Sequence, residues 1–295
     1  MTDLGAAGEE TLSRIRAFIR RMPGLSTTAV KVLRICNEPN TCANDLNRVI
    51  SIDPVLTGRV LQLVNSAFYA LPGKVNSLTR AIILLGLNTV KNLVLSFAVV
   101  ESLRRDSFQA ISARDFWTHS LSTAVAARLL AANRGLPLAE REECFVGGLM
   151  HDIGKVPLNR LFPEDYLKAA ASARESGQGI QAGELALIGA EHCSVGALIA
   201  ERWQLSGALV AAMGRHHDTA ACTESPDSLA AVVRLADGLA HACGAGTPGA
   251  GRMGEGDRSR LSEGLGFAPM QLEALKATVL EEVEKARVFL DIAVN

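Results

Sequence analysis

Seven side chains in this sequence are of types that hold metal ions: His119, His151, Asp152, His192, His216, His217 and Asp237. Imidazole nitrogens and carboxylate oxygens are the donors used for zinc, manganese, iron, cobalt or nickel. Two such ions, roughly 3.5–4 Å apart, can activate a water and clamp a phosphoryl group. Asp152 could bridge such a pair. Lys155 sits one short step beyond it. Its ammonium could hold a phosphate oxygen or satisfy a helix C-terminus.

Each residue alone has a plainer reading. His151-Asp152 could be a histidine beside a surface carboxylate. Their apolar setting, GLMHDIGK, argues instead for the edge of a core, where an unpaired carboxylate costs several kcal/mol. Asp237 shares its helical face with Val233 and Ala240, and either pairs with Arg234 or faces a site. His216 and His217 could form a solvated helix end that suits the dipole. His192 and His119 each start from the prior of a satisfied core histidine. Together, these helix-borne groups point to one or two divalent transition metal ions.

The elements that must position them read as helices. Apolar residues recur at helical spacing and strand-like alternation is short. Leu12, Ile15 and Phe18 line a first helix ending at Met22-Pro23-Gly24. Asp53-Pro54 is a helix start, with Asp as cap and Pro at the first position. Ser77 caps a helix over 79–85, and Gly86 separates it from the next. A polar stretch, Arg104 to Arg114, precedes helices expected near 115–133, 140–153, 182–202, 206–217 and 227–242. Gly154 is expected to cap the second of these. Gly244 to Gly256 reads as a mobile Gly-rich loop before a last helix over 268–290.

Bulk properties narrow the class. The 295 residues carry 30 basic and 31 acidic side chains, net −1, and no long basic run, so no nucleic-acid footprint is evident. The apolar window Ala81–Val100 is split by Gly86 and holds Asn88, Lys91 and Asn92, which fits a buried helix pair better than a membrane span. The N-terminus, MTDLGAAGEE, has no apolar secretory core. The six cysteines form no CxxC pair and are expected to be reduced thiols, as in a cytoplasmic protein.

His119, His151-Asp152 within HDIGK, and Asp237 together resemble the HD superfamily of metal-dependent phosphohydrolases, whose HDxxK lysine contacts phosphate. His192, His216 and His217 resemble the added ligands of its two-metal and HD-GYP members. Asp115 stands where some HD-GYP proteins place a further acidic ligand. The stretch IDPVLTGRVLQLVNSAFYALPGKVNSLTRAIILLGLNTVKNLVLS, with FWTHS, GGLMHDIGK and EHCSVGALIAERWQL following in order, resembles the HDOD family from about Met22 to Asp218. No GYP signature follows His216-His217-Asp218, so nothing points to cyclic di-GMP hydrolysis.

The resemblance implies an all-α, multi-helix HD-type bundle with an N-terminal helical subdomain. The expected parts are a first helix over 1–21, an HDOD domain over 22–218 divided at 104/105, and a C-terminal helical extension over 219–295. It also implies a bacterial-type signalling protein with a protein partner and an iron, manganese, zinc or nickel site built by the seven donors. The alternative is a metal-dependent phosphohydrolase acting on a nucleotide or cyclic nucleotide, with Asp152 and Lys155 as its catalytic residues.

Overall fold

The structure, a computed structural model, describes residues 3–103, 107–177, 179–245 and 253–294. Among these it is all helical, with no strand. Six helices come first: α1 (Asp3–Arg21), α2 (Thr27–Cys36), α3 (Ala43–Ile50), α4 (Pro54–Val64), α5 (Leu78–Leu85) and α6 (Leu87–Ser102). Their starts follow the expected chemistry. The Asp53 carboxylate accepts from Leu56 N at 2.9 Å, and the Ser77 hydroxyl accepts from Arg80 N at 3.3 Å. Helices α5 and α6 are bent by 116° at Gly86, and no single described helix is long and apolar enough to cross a membrane.

The remaining helices are α7 (Ala113–Asn133), α8 (Leu138–Met150), α9 (Lys155–Leu161), α10 (Pro163–Ser176), α11 (Ile180–Leu187), α12 (His192–Arg202), α13 (Gly207–Arg215), α14 (Thr219–Glu224), α15 (Leu229–Ala242), α16 (Glu255–Gly264) and α17 (Pro269–Val294). Helices α7, α8 and α15 pack against one another, and α13 packs on α8 and α15. These helices, with α12 and the α8–α9 turn, carry the seven candidate donors.

Several expectations need correction. The helix expected over 182–202 is two helices, because Gly189 adopts a left-handed φ of 82° between them. Helices α9, α10, α14 and α16 lie outside the expected set. Helix α16 begins at Glu255, within the expected loop. Glu255 and Asp257 in its first turn suit the helix dipole, and Leu261 is buried. Residues 246–252 of that loop lie outside the described residues. Gly154 is not a left-handed cap, since its φ is −64°. Its role is close approach: a Cβ there would stand 1.9 Å from the His192 carbonyl oxygen and 2.6 Å from Gly196 N.

The two halves share one buried apolar cluster. A chain of rings crosses it. Phe97 on α6 stacks on Phe289 of α17 at 5.0 Å, and Phe289 meets Phe145 of α8 at 5.8 Å. Phe145 in turn meets Phe68, which follows α4, at 5.6 Å. Polar ties reinforce the junction. Buried Glu142 accepts from Tyr69 Oη and from Arg128 Nε, each at 2.8 Å. Arg202 of α12 donates to the Met22 and Arg20 carbonyls, closing the end of α1. Buried Asn159 accepts from Gln109 N at 2.8 Å and Ala110 N at 2.6 Å, which pins the stretch leading into α7.

The glycine contact gives a direct test. Gly154→Ala pushes the α8–α9 turn off α12, and the expected cost is about 3 kcal/mol or more, read from denaturant unfolding of metal-free protein. Gly207→Ala, where nothing lies within 4 Å, is the control and is expected to leave stability nearly unchanged. Equal stability of the two variants would contradict the close packing.

Candidate metal centre

Six helical segments deliver side chains to one buried cluster. His119 comes from the second turn of α7, whose face with Phe116 and Ala127 is buried. His151 and Asp152 follow the last turn of α8, and Lys155 opens α9. His192 is the first residue of α12, His216 and His217 follow α13, and Asp237 lies mid-way along α15. All except His217 are nearly inaccessible; the most exposed, Lys155, is 4% exposed.

Asp152 organises the cluster. Its Oδ2 lies 3.5 Å from His119 Nε2 and 3.4 Å from His151 Nε2. Its Oδ1 lies 3.4 Å from His192 Nε2 and 3.8 Å from His216 Nε2. The two oxygens of one carboxylate therefore face two different pairs of histidines. Asp237 closes the first group, with Oδ1 at 3.2 Å from His119 Nε2 and 3.8 Å from His151 Nε2.

The histidines are held from behind. His119 Nδ1 meets the Ala245 carbonyl at 2.6 Å, His151 Nδ1 the Gly148 carbonyl at 2.7 Å, and His216 Nδ1 the Ala212 carbonyl at 3.0 Å. His192 Nδ1 meets Glu184 Oε2 at 2.7 Å. A carbonyl only accepts, so the rings facing one must donate from Nδ1, which frees Nε2 as the ligand atom. A ring nitrogen lone pair that faces a carboxylate oxygen needs a cation between them. His119 Nε2, His192 Nε2 and Asp152 Oδ1 are buried without a hydrogen-bond partner among the described residues. This donor set suits a divalent metal ion.

The electrostatics divide the donors into two classes. Burial alone would raise the Asp152 carboxyl, but the neighbouring His151 and Lys155 charges hold it well below the usual carboxylate range. Burial likewise opposes ionisation of Asp237, and His241 and His119 outweigh it. Both carboxylates are ionised. Burial and neighbouring imidazoles hold His216 and His217 well below the ordinary histidine value, so both are neutral, as ligands must be. Burial opposes protonation of His192 and His151 as well, but Glu184 raises the first well above that value and Asp152 raises the second, so a bound ion must displace a proton from each.

The structure places the other sequence candidates differently. Lys155 neither caps a helix end nor reaches outward; its Nζ bonds Asp152 Oδ2 at 2.6 Å. Both readings of Asp237 hold together, since it faces the cluster while Arg234 stands 3.7 Å from its Oδ2. His217 joins the cluster, its ring 4.2 Å from that of His216, but its Nδ1 faces the Arg234 guanidinium at 2.8 Å. Asp115 is exposed in the first turn of α7 and lies outside the cluster.

Two members escaped the sequence reading. His241 sits 3.1 Å from Asp237 Oδ1 and stacks on His119 with centroids 4.6 Å apart. Its signal was available: it lies four residues after Asp237 on one helix face. Glu184, fully buried, bonds both the ring and the backbone N–H of His192, the latter at 2.9 Å. No spacing rule links it to His192, because the turn at Gly189 brings them together. A small recess of about 10 Å³, roughly the room of one water, adjoins the cluster, lined by Asp152, Lys155, Asp237, His217, His241, Ile180 and Gln181.

The HDOD domain profile matches residues 22–219. An HDOD domain protein of unknown function from Geobacter sulfurreducens is similar at 23% identity over 95% of this chain and 98% of its own, with a TM-score of 0.75. A protein described as a candidate phosphohydrolase, from Shewanella amazonensis, is similar at 21% identity over 96% and 98%, with a TM-score of 0.69. A candidate signal transduction protein from Marinobacter aquaeolei is similar at 20% identity over 99% of this chain and 67% of its own, with a TM-score of 0.74. At these identities the likeness concerns the fold. An uncharacterized protein of Treponema pallidum is 24% identical over 216 residues, and the match spans 41% of its length.

The hydrogen bonds behind the rings set a prediction. Glu184→Gln removes the charge that orients His192, and metal affinity is expected to fall by roughly 10–100-fold. Competition with a coloured chelator reads this. An unchanged affinity in a variant with native circular dichroism would contradict the supporting role of Glu184.

Proposed function

Because the chain belongs to the HDOD family, we propose that it is a signal-transduction protein in which the buried centre holds metal as a structural or sensory element. The observation that carries this reading is enclosure. The first group of donors, His119, His151, Asp152 and Asp237, is at most 3% exposed. Ile180 and Gln181 line the recess beside it. The one ammonium that could greet a phosphate, Lys155, is bonded to Asp152. The helical surface would then bind a protein partner. A cytoplasmic setting belongs to the same reading, supported by six free thiols.

The centre would take one or two ions from iron, manganese, zinc and nickel. His119, His151, Asp152 Oδ2 and Asp237 would hold the first. Asp152 Oδ1, His192 and His216 would hold the second, with His217 beside them.

One observation favours a second reading, metal-dependent hydrolysis of a nucleotide or cyclic nucleotide. The two Asp152 oxygens face separate histidine pairs, as a bridging carboxylate would. Bound ions would supply an activated water and a clamp for phosphoryl oxygens. The chain's own part would be to turn Lys155 from Asp152 towards a phosphate oxygen in the recess.

Elemental analysis and assay of one preparation separate these readings. Metal-replete protein is expected to retain about one or two equivalents of a transition metal, with no turnover of a generic phosphodiester or a nucleotide panel. Less than about a tenth of an equivalent would overturn the metal centre in both readings. Turnover that disappears in Asp152→Ala, with native circular dichroism, would replace the signalling reading with the hydrolase.

A further inference from the structure

One buried thiol lies inside the second half of the cluster. Cys193 follows His192 in the first turn of α12 and is 3% exposed. Its Sγ stands 3.9 Å from His216 Nδ1 and 3.8 Å from His216 Nε2. Donor atoms of His192, Cys193, His216 and His217 all lie within 4.8 Å of one another. Two donors of one tetrahedral ion, with nitrogen at about 2.0–2.1 Å and sulfur at about 2.3 Å, stand about 3.3–3.6 Å apart. The 3.8 Å between Cys193 Sγ and His216 Nε2 is close to that.

A second observation concerns who is missing from the set. His192 and His216 direct Nε2 inward, and Asp152 supplies Oδ1, which gives three donors. His192 Nε2 and Asp152 Oδ1 are buried and have no hydrogen-bond partner among the described residues. His217 is built differently. A guanidinium has only donors, so the Arg234 contact makes His217 Nδ1 an acceptor and leaves the proton of the neutral ring on Nε2. That ring cannot give its Nε2 lone pair to an ion while Arg234 holds it. A fourth donor is needed, and Cys193 is the group in place.

We infer that Cys193 is a ligand of the second ion, completing a set of two imidazoles, one carboxylate oxygen and one thiolate. This rests on the metal-centre reading above. On binding, the S–H bond breaks, a sulfur–metal bond forms and the proton leaves to solvent, with no change of oxidation state. A sulfur donor makes the second pocket select a thiophilic ion such as zinc or cobalt over magnesium or manganese. The first pocket, with nitrogen and oxygen donors only, carries a weaker preference of the same sign. The two halves of one bridged centre therefore differ in how strongly they select their metal.

Cobalt(II) loading of the full chain tests this without reference to activity. With two equivalents bound, wild type is expected to show sulfur-to-cobalt charge-transfer absorption in the near ultraviolet. Cys193→Ser is expected to lose that band, while Cys222→Ser and Cys144→Ser keep it. Zinc-edge X-ray absorption on wild type needs no variant and is expected to show a sulfur at about 2.3 Å. Two bound cobalt ions with no such band, or a band that survives in Cys193→Ser, would overturn the thiolate ligand and leave the metal centre standing. A chain that takes up no cobalt would overturn the metal centre, and the thiolate ligand with it.

Discussion

A carboxylate buried to 1% exposure organises this molecule. Removing an ionised carboxylate from water costs several kcal/mol unless charge partners surround it. Asp152 meets that demand with Lys155 on its own turn and with four imidazoles brought by three other helices and its immediate neighbour. More nitrogen donors converge than one carboxylate can use as hydrogen-bond partners, and the unpartnered Oδ1 lies on the side of His192 and His216. A divalent ion satisfies all of them at once.

Helix packing makes that convergence achievable. The α8–α9 turn can reach α12 only because residue 154 has no side chain, and α8 can lie against α7 only because residue 148 has none; a Cβ there would stand 2.7 Å from the Ala124 Cα. Those two contacts set the distance from Asp152 to His192 and from His151 to His119. The N-terminal helices contribute no donor. They hold the frame, through the Phe97–Phe289–Phe145–Phe68 ring chain and the Glu142 junction. Donors and frame are thus coupled: any change in how α7, α8 and α12 sit is felt at the cluster. On the signalling reading, that coupling would be the physical route from the centre to the surface.

Much of this was legible in residue types and spacing. The all-helical class follows from the apolar periodicity, and several helix starts from their capping residues. The donor residues could be named, because histidines and aspartates on apolar helix faces are costly without a partner. What escaped depends on turns and third-dimension contacts. Glu184 reaches His192 only through the left-handed Gly189 between their helices. Gly154 looked like a helix cap, and its reason is the carbonyl of His192 pressed against it. Spacing leaves Lys155 a phosphate contact or a helix-end partner, and the fold turns it onto Asp152. His241 could have been found by its spacing from Asp237. Spacing places a residue on a face without saying what that face meets.

The most direct measurement is a crystal structure of metal-replete protein with anomalous scattering recorded at the absorption edge of the bound element. The account predicts an anomalous peak between Asp152 Oδ2, Asp237 and the Nε2 atoms of His119 and His151, with donors at about 2.0–2.2 Å. A clean map there, with Asp152 contacted only by Lys155, imidazolium N–H groups and water, would contradict it.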